Sequence, residues 1–220
     1  MAVITVSRQV GSGGDEIARR ACEVLGYRYF DKRLIAALAS EMGLLQGDVV
    51  DFTEYQHEAR GFLDRLLPGR TAAAGAVTRA DDGADDGATT VEELDEETTL
   101  GVVEGAIRAA SKLGDIVIVG RGGQHVLRDE PGVLHVRIVA PLEDRVERVA
   151  QREHVDDVTA RETWIAQGDA ASSDYLHRSY GIDWADPLHY HLVINTARWG
   201  TEAAAQLIAR AVDSLPADQA

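Results

Sequence analysis

Short runs rich in apolar and β-branched residues, each followed by a helical pattern, constrain this chain more than any other feature. Ala2–Val6 and Ile116–Val119 are continuously apolar or β-branched and read as strands covered on both faces, and Tyr27–Phe30, Val133–Val139 and His191–Asn195, rich in the same residue types, read as three further strands. Helical stripes follow at Asp15–Leu25, from an Asp31 cap to about Met42, from Pro141, over 156–180, and at Thr201–Val212. Two further helical patterns lie near 46–67 and 92–112. Strands that alternate with helices pack as a parallel sheet between two helical layers. The expected fold is therefore α/β, a three-layer sandwich with a five-stranded parallel sheet. Such folds bind ligands at the carboxyl ends of their strands, where two glycine turns fall here, Gly11–Gly14 and Gly120–Gly123.

Composition narrows the function classes. Of 220 residues, 37 are acidic and 22 basic, a net charge of −15 that argues against a general nucleic-acid surface. Nine of the acids lie in residues 81–97, which hold no Lys, Arg or His, so the excess is local. With the small-residue stretch before it, the segment from about 69 to 90 has too little apolar surface to offset its ordering entropy and reads as a disordered acidic loop. The single Cys22 excludes an internal disulfide and a cysteine zinc site, and no apolar run is long enough to span a bilayer. The first residues have no basic lead or cleavage pattern, so a cytoplasmic protein without a membrane partner is expected. Lys32 and Lys112 are the only lysines, so any lysine-dependent mechanism must choose between them.

The first turn has the strand–glycine–helix form that binds phosphate through backbone N–H groups and a helix start. Gly11, Ser12, Gly13 and Gly14 would face a bound phosphate. Aligned on the Walker pattern through Gly13, however, Arg8 stands at the first glycine, Gly14 at the lysine and Asp15 at the Ser/Thr that usually binds Mg²⁺. A dinucleotide reading is also open: Gly11-x-Gly13 starts a helix and Asp31 lies twenty residues on, although Glu16 occupies the third glycine position.

The segments Ile4-Thr-Val-Ser-Arg-Gln-Val-Gly-Ser-Gly-Gly14 and Tyr29-Phe-Asp-Lys-Arg-Leu-Ile35 resemble the opening of the cytidylate kinase-like family of P-loop proteins. Ile118–Gly122, Arg145–Val149, Tyr180–Trp184 and Tyr190–Thr196 extend the resemblance over nearly the whole chain except about 46–98. It implies a nucleoside monophosphate kinase fold, with 1–220 as one domain, 46–98 as a variable acceptor-region insertion and 153–185 as a lid. It implies ATP with Mg²⁺ as phosphate donor and a nucleoside monophosphate, most simply a pyrimidine one, as acceptor. Carried over, Asp31 and Lys32 lie on the acceptor side and Arg121 forks onto the acceptor phosphate. Arg148 and Arg152 clamp the donor, with Arg121 and Lys32 completing the catalytic set, and Asp169 and Tyr175 belong to the lid. Three departures stand out: Asp15 follows the loop where the family has arginine, Ser172 replaces the lid arginine, and His191 replaces an aspartate.

The remaining candidates are single residues. Asp15 could serve as a metal ligand, and Arg178 could replace the missing lid arginine. Arg145, Arg148 and Arg152 share a helix face, either as phosphate ligands or as a salt-bridge lattice with neighbouring acids. His189 and His191 would share one strand face. Trp164, Trp184 and Trp199 read as packing anchors, and Cys22 as core. A catalytically inactive nucleotide-binding module is the alternative function, and the oligomeric state stays open.

Overall fold

The computed structural model describes residues 1–31, 34, 96–153 and 157–215. The chain divides into two compact units, Arg33–Ala109 and a larger one formed by Met1–Lys32 with Ala110–Ala220. The helix expected after Asp31, the 46–67 pattern, the acidic 69–90 loop and Lys32 fall outside the described residues, apart from a helical Leu34. In the smaller unit the described segment is the start of a helix, Glu96–Lys112, with Val103 and Ile107 buried.

The larger unit is an α/β sandwich. Its strands are β1 (Val3–Arg8), β2 (Arg28–Phe30), β3 (Ile116–Val119), β4 (Val133–Val139) and β5 (Leu192–Asn195). All pairings are parallel, in the order β2-β3-β1-β4-β5. In chain order the helices are α1 (Gly14–Leu25), α2 (the Glu96–Lys112 helix, all but its end in the smaller unit), the short α3 (Gly123–Val126), α4 (Leu142–Glu153), α5 (Val158–Tyr180) and α6 (Thr201–Asp213). The expectation of a five-stranded parallel sheet holds. The β1 side chains Ile4 and Val6, with Val117, Val119, Val136 and Ile138 from its neighbours, bury against Ile17, Ala18 and Ala21 of α1 and Ala204, Ala205 and Ile208 of α6. Small residues on both helices allow this close approach.

β2 and β5 start one residue later than expected, and two larger differences bear on the site. The first strand continues to Arg8 because its pairing with β4 extends to Arg8 opposite Ile138. The second glycine turn runs directly into α3, since the N–H groups of Val126 and Leu127 reach back to Gly122 and Gly123 carbonyls. The order places β1 between β3 and β4, and the connections from β1 and β4 leave in opposite directions along the sheet. That divergence opens a crevice at the strand carboxyl ends.

Candidate active site

The turn after β1 is shaped by its glycines. Gly11 and Gly13 have φ of 75° and 81°, values that a side chain disfavours, and a Cβ on Gly11 would stand 2.8 Å from the Arg145 carbonyl oxygen. Gly13 caps α1 without any side-chain hydrogen bond, and Ile17 N–H is the first in the helix to reach back, to Gly13 O at 3.0 Å. Among the described residues, the N–H groups of Gly13, Gly14, Asp15 and Glu16 therefore have no protein acceptor. Four free donors at a helix start form an anion cradle. Ser12 contributes differently: its side chain is fully buried, and both its N–H and its hydroxyl donate to Gln9 O.

The loop is braced from behind by α4 and α5. Arg148 Nη1 donates to Ser12 O at 3.0 Å and Thr196 Oγ1 at 2.8 Å, and its Nη2 donates to Thr196 O at 2.9 Å. Arg145 pairs with Asp169 at 2.6 Å, while the other Asp169 oxygen accepts from Val10 N–H at 2.9 Å. Arg152 pairs with Glu16. The three arginines thus share a face, but two of them, Arg145 and Arg148, hold the glycine loop and its flank rather than forming a surface lattice. Asp169, expected in the lid, is part of this brace. Thr196, absent from the candidate residues, is buried and ties the end of β5 to Ser12 O.

The second glycine turn carries an unusual arginine. Gly120, Arg121 and Gly122 have φ of 76°, 57° and 76° in succession. A Cβ on Gly122 would lie 3.2 Å from Leu176 Cδ2 and collide with the Tyr180 ring, so α5 packs directly on this turn. Arg121 is exposed, with its guanidinium 5.7 Å from the centroid of the Tyr175 ring. The Tyr175 hydroxyl is buried without a hydrogen-bond partner among the described residues.

Both turns open onto one cavity of about 760 Å³. Its walls include Gly11–Glu16, Arg8, Arg121, Arg148, Arg152 and Tyr175. Trp164 and Trp199 also line it with 46% and 47% of their surfaces exposed, which corrects their reading as packing anchors. Apolar periodicity cannot separate a buried tryptophan from one beside a cavity. Trp184 is a packing anchor: it is buried, its indole N–H donates to Ser7 Oγ at 2.7 Å, and Arg137 lies 4.3 Å above its ring.

Apart from Ser172, the remaining candidates among the described residues are not brought to the cavity. Arg178 is exposed, donates to Asp174 O within its own helix and does not line the cavity. Ser172 lines it but donates to Gly168 O. His189 belongs to a 3-10 turn, Pro187–His189, and not to a strand, because Asp186 caps that turn through Leu188 N–H. His191 precedes β5 and accepts from His135 N–H, its ring 4.7 Å from that of His135. Burial pushes the His135 imidazole down to about 4, with the neighbouring His191 adding to the shift. Asp31 follows the end of β2 and does not line the cavity.

The described residues offer a magnesium ion no ready-made cluster of protein ligands. No group of three His, Cys, Asp or Glu side chains could hold a metal among the described residues, and Asp15 is engaged by Arg8 at 2.9 Å. The buried Glu16 Oε2, without a partner among the described residues, could reach a phosphate-bound ion directly or through water. No helix among the described residues is long and apolar enough to cross a membrane.

Comparisons with known proteins agree with this geometry. Cytidylate kinase from Methanopyrus kandleri is 27% identical over 214 residues, covering 97% of this chain and 94% of the relative. Cytidylate kinase from Methanocaldococcus jannaschii is 27% identical over 217 residues, covering 97% and 98%. Among solved structures, a protein from Eubacterium ventriosum superposes with a TM-score of 0.65 at 19% identity, over 97% of this chain and 99% of that one. Shikimate kinase from Bacteroides thetaiotaomicron gives 0.50 at 11% identity, over 96% and 98%. These structural likenesses establish the fold alone, a parallel α/β sandwich. The model of the cytidylate kinase-like family matches residues 3–198, and the chain belongs to that family.

Proposed function

We propose that the protein transfers the γ-phosphoryl group of MgATP to a nucleoside monophosphate, with a pyrimidine nucleotide as the preferred acceptor. The observation that carries this reading is the row of four free N–H donors, Gly13 to Glu16, opening onto a cavity that four arginines also line. The names of the relatives support the pyrimidine acceptor. In the reaction an acceptor phosphate oxygen attacks the γ-phosphorus as the bond to the β-bridging oxygen breaks, releasing ADP. Little covalent work falls to the protein, so positioning and neutralisation of charge dominate. The 11–14 turn would seat the donor phosphates, Arg121 would hold the acceptor phosphate, and Arg152 would neutralise charge from the α4 side. Arg148 would act by keeping the loop carbonyls turned away from the anion. Trp164 or Trp199 would cover the adenine. Lys32 is proposed on the acceptor side with Asp31.

Incubating the protein with ATP, Mg²⁺ and each of CMP, dCMP, UMP, AMP and GMP tests this reading. ADP release with CMP or UMP well above the rate without acceptor is expected, and no acceptor-dependent release at micromolar enzyme rejects it. One observation favours a second reading, nucleotide binding without transfer: among its described residues α5 brings no cation to the cavity, since Ser172 faces it and Arg178 does not. Nucleotide binding by calorimetry with no turnover, and turnover appearing in Ser172→Arg, would select that reading.

A further inference from the structure

The three positions at which this chain departs from the Walker pattern, Arg8, Gly14 and Asp15, are in contact with one another. Arg8 Nε donates to Asp15 Oδ1 at 2.9 Å. A Cβ on Gly14 would overlap Arg8 Cβ and lie 2.7 Å from Arg8 Cγ. Those atoms belong to the root of the arginine side chain, so they cannot swing aside without moving β1. Position 14 can carry a lysine only when position 8 has no side chain, which is the pairing that the Walker pattern specifies. Here the arrangement is inverted, with the cation on the strand and the glycine on the helix.

The guanidinium is placed for a ligand. It lines the cavity, and its side chain is 28% exposed. Its Nη1 would lie 3.1 Å from a Cβ on Gly120, so the fork spans from the start of α1 to the second glycine turn. Among the described residues Nη1 and Nη2 make no hydrogen bond, since the single ion pair uses Nε. An arginine anchored through Nε and open at both terminal nitrogens has its remaining donors preset for a bidentate anion.

We propose that Arg8 is the cation of this phosphate loop, oriented by Asp15 and contacting the β- and γ-phosphates of ATP in the role that a lysine at position 14 has in Walker loops. The two apparent losses at the loop are then one replacement: Gly14 makes room for Arg8, and Asp15 is a positioning residue for it. The proposal rests on the nucleotide-binding reading above.

Calorimetry with ADP and AMP on the wild type and three variants tests it. Arg8→Met alone would leave the Asp15 carboxylate beside the phosphates, so the deciding variant is Arg8→Met with Asp15→Asn, which removes both charges. It should bind ADP about 10- to 100-fold more weakly, the weight of a charge-assisted hydrogen bond pair, while AMP binding changes less than about threefold. Arg8→Lys should fall between the wild type and that double variant. The triple variant Arg8→Gly, Gly14→Lys and Asp15→Thr, which rebuilds a complete Walker sequence over residues 8–15, should recover ADP binding to within about tenfold of the wild type. An unchanged thermal transition in Arg8→Lys keeps the comparison valid if the double variant folds poorly. Wild-type affinity for ADP in the double variant, or in Arg8→Lys when that variant must decide, would overturn the proposal and make the pair a structural latch. Failure of the wild type itself to bind ADP or ATP would instead reject the nucleotide reading.

Discussion

Arg121 offers a test in which stability and activity should separate. Its φ of 57° lies between glycines at 76° on either side. An L-residue in this region costs about 1–2 kcal/mol. Glycine relieves that strain but loses about 0.5–1 kcal/mol of chain entropy on folding. Arg121→Gly should therefore be more stable than Arg121→Ala by roughly 0.5–1 kcal/mol, because alanine keeps the strain and both variants lose the contact with Tyr175. For a chain of this size the gap corresponds to about 1–4 °C in Tm, readable by calorimetry on purified variants. The contact with Tyr175, at 5.7 Å to the ring centroid, contributes about 0.5–1 kcal/mol at an exposed site, so Arg121→Gly should lie near the wild type in stability. In a coupled ADP-release assay with CMP as acceptor, both variants should lose about 10²-fold or more in kcat/KM, since both lack the guanidinium. Equal stability of the alanine and glycine variants would refute the strained-turn argument. Wild-type turnover in either would refute the phosphate-binding role, independently of the stability result.

Four further outcomes follow from the geometry. His135 is neutral and buried, with its imidazole down at about 4 from an ordinary 6.5, so its contribution to stability is present above pH 6.5 and is lost as pH falls toward 4. The full loss is roughly 3 kcal/mol, and His135→Gln should flatten the urea-denaturation midpoint over that window, with an equally steep acid decline counting against it. Cys22 is buried and its thiol is pushed up to about 12, chiefly by desolvation, so DTNB at pH 8 should label it only on unfolding; rapid labelling of native protein would contradict the packing of α1. Arg148→Ala removes donors from Ser12 O and Thr196 and should cost about 2–3 kcal/mol together with weaker ADP binding, whereas full retention of both would show that the brace is unimportant. Trp164→Phe should lower the quenching of tryptophan fluorescence by ATP, and an unchanged quench would move adenine coverage to Trp199.

Much of the architecture was legible because parallel strands buried on both faces are predominantly apolar, and Ile116–Val119, continuously so, and Val133–Val139, apolar apart from His135 and Arg137, match their observed bounds. The glycine turns were legible for a similar local reason: a positive φ at Gly11, Gly13, Gly120 and Gly122 is a backbone requirement carried in the residue itself. Side-chain partners were not. Arg145, Arg148 and Arg152 share a face by helical spacing, yet whether a guanidinium meets a phosphate, an acid or a loop carbonyl depends on what α5 and β5 bring opposite it. The tryptophans show the same limit, since Trp164, Trp184 and Trp199 are chemically alike and all touch the cavity, and only their surroundings separate the buried, anchored Trp184 from the two half-exposed rings.

The sequence by itself determined the sheet, the alternation of strand and helix, the two glycine turns and the family, because these depend on local propensity, burial pattern and ordered motifs. The tertiary structure decided the order β2-β3-β1-β4-β5 and the convergence of both turns on one cavity. It also decided the meaning of the altered Walker positions. In sequence Arg8, Gly14 and Asp15 are three separate departures; in space they are one contact, since the extended strand and the first helical turn fold back on each other across the loop. Steric exclusion and charge pairing act over a few ångströms, and only the folded chain brings positions 8 and 15 within that range.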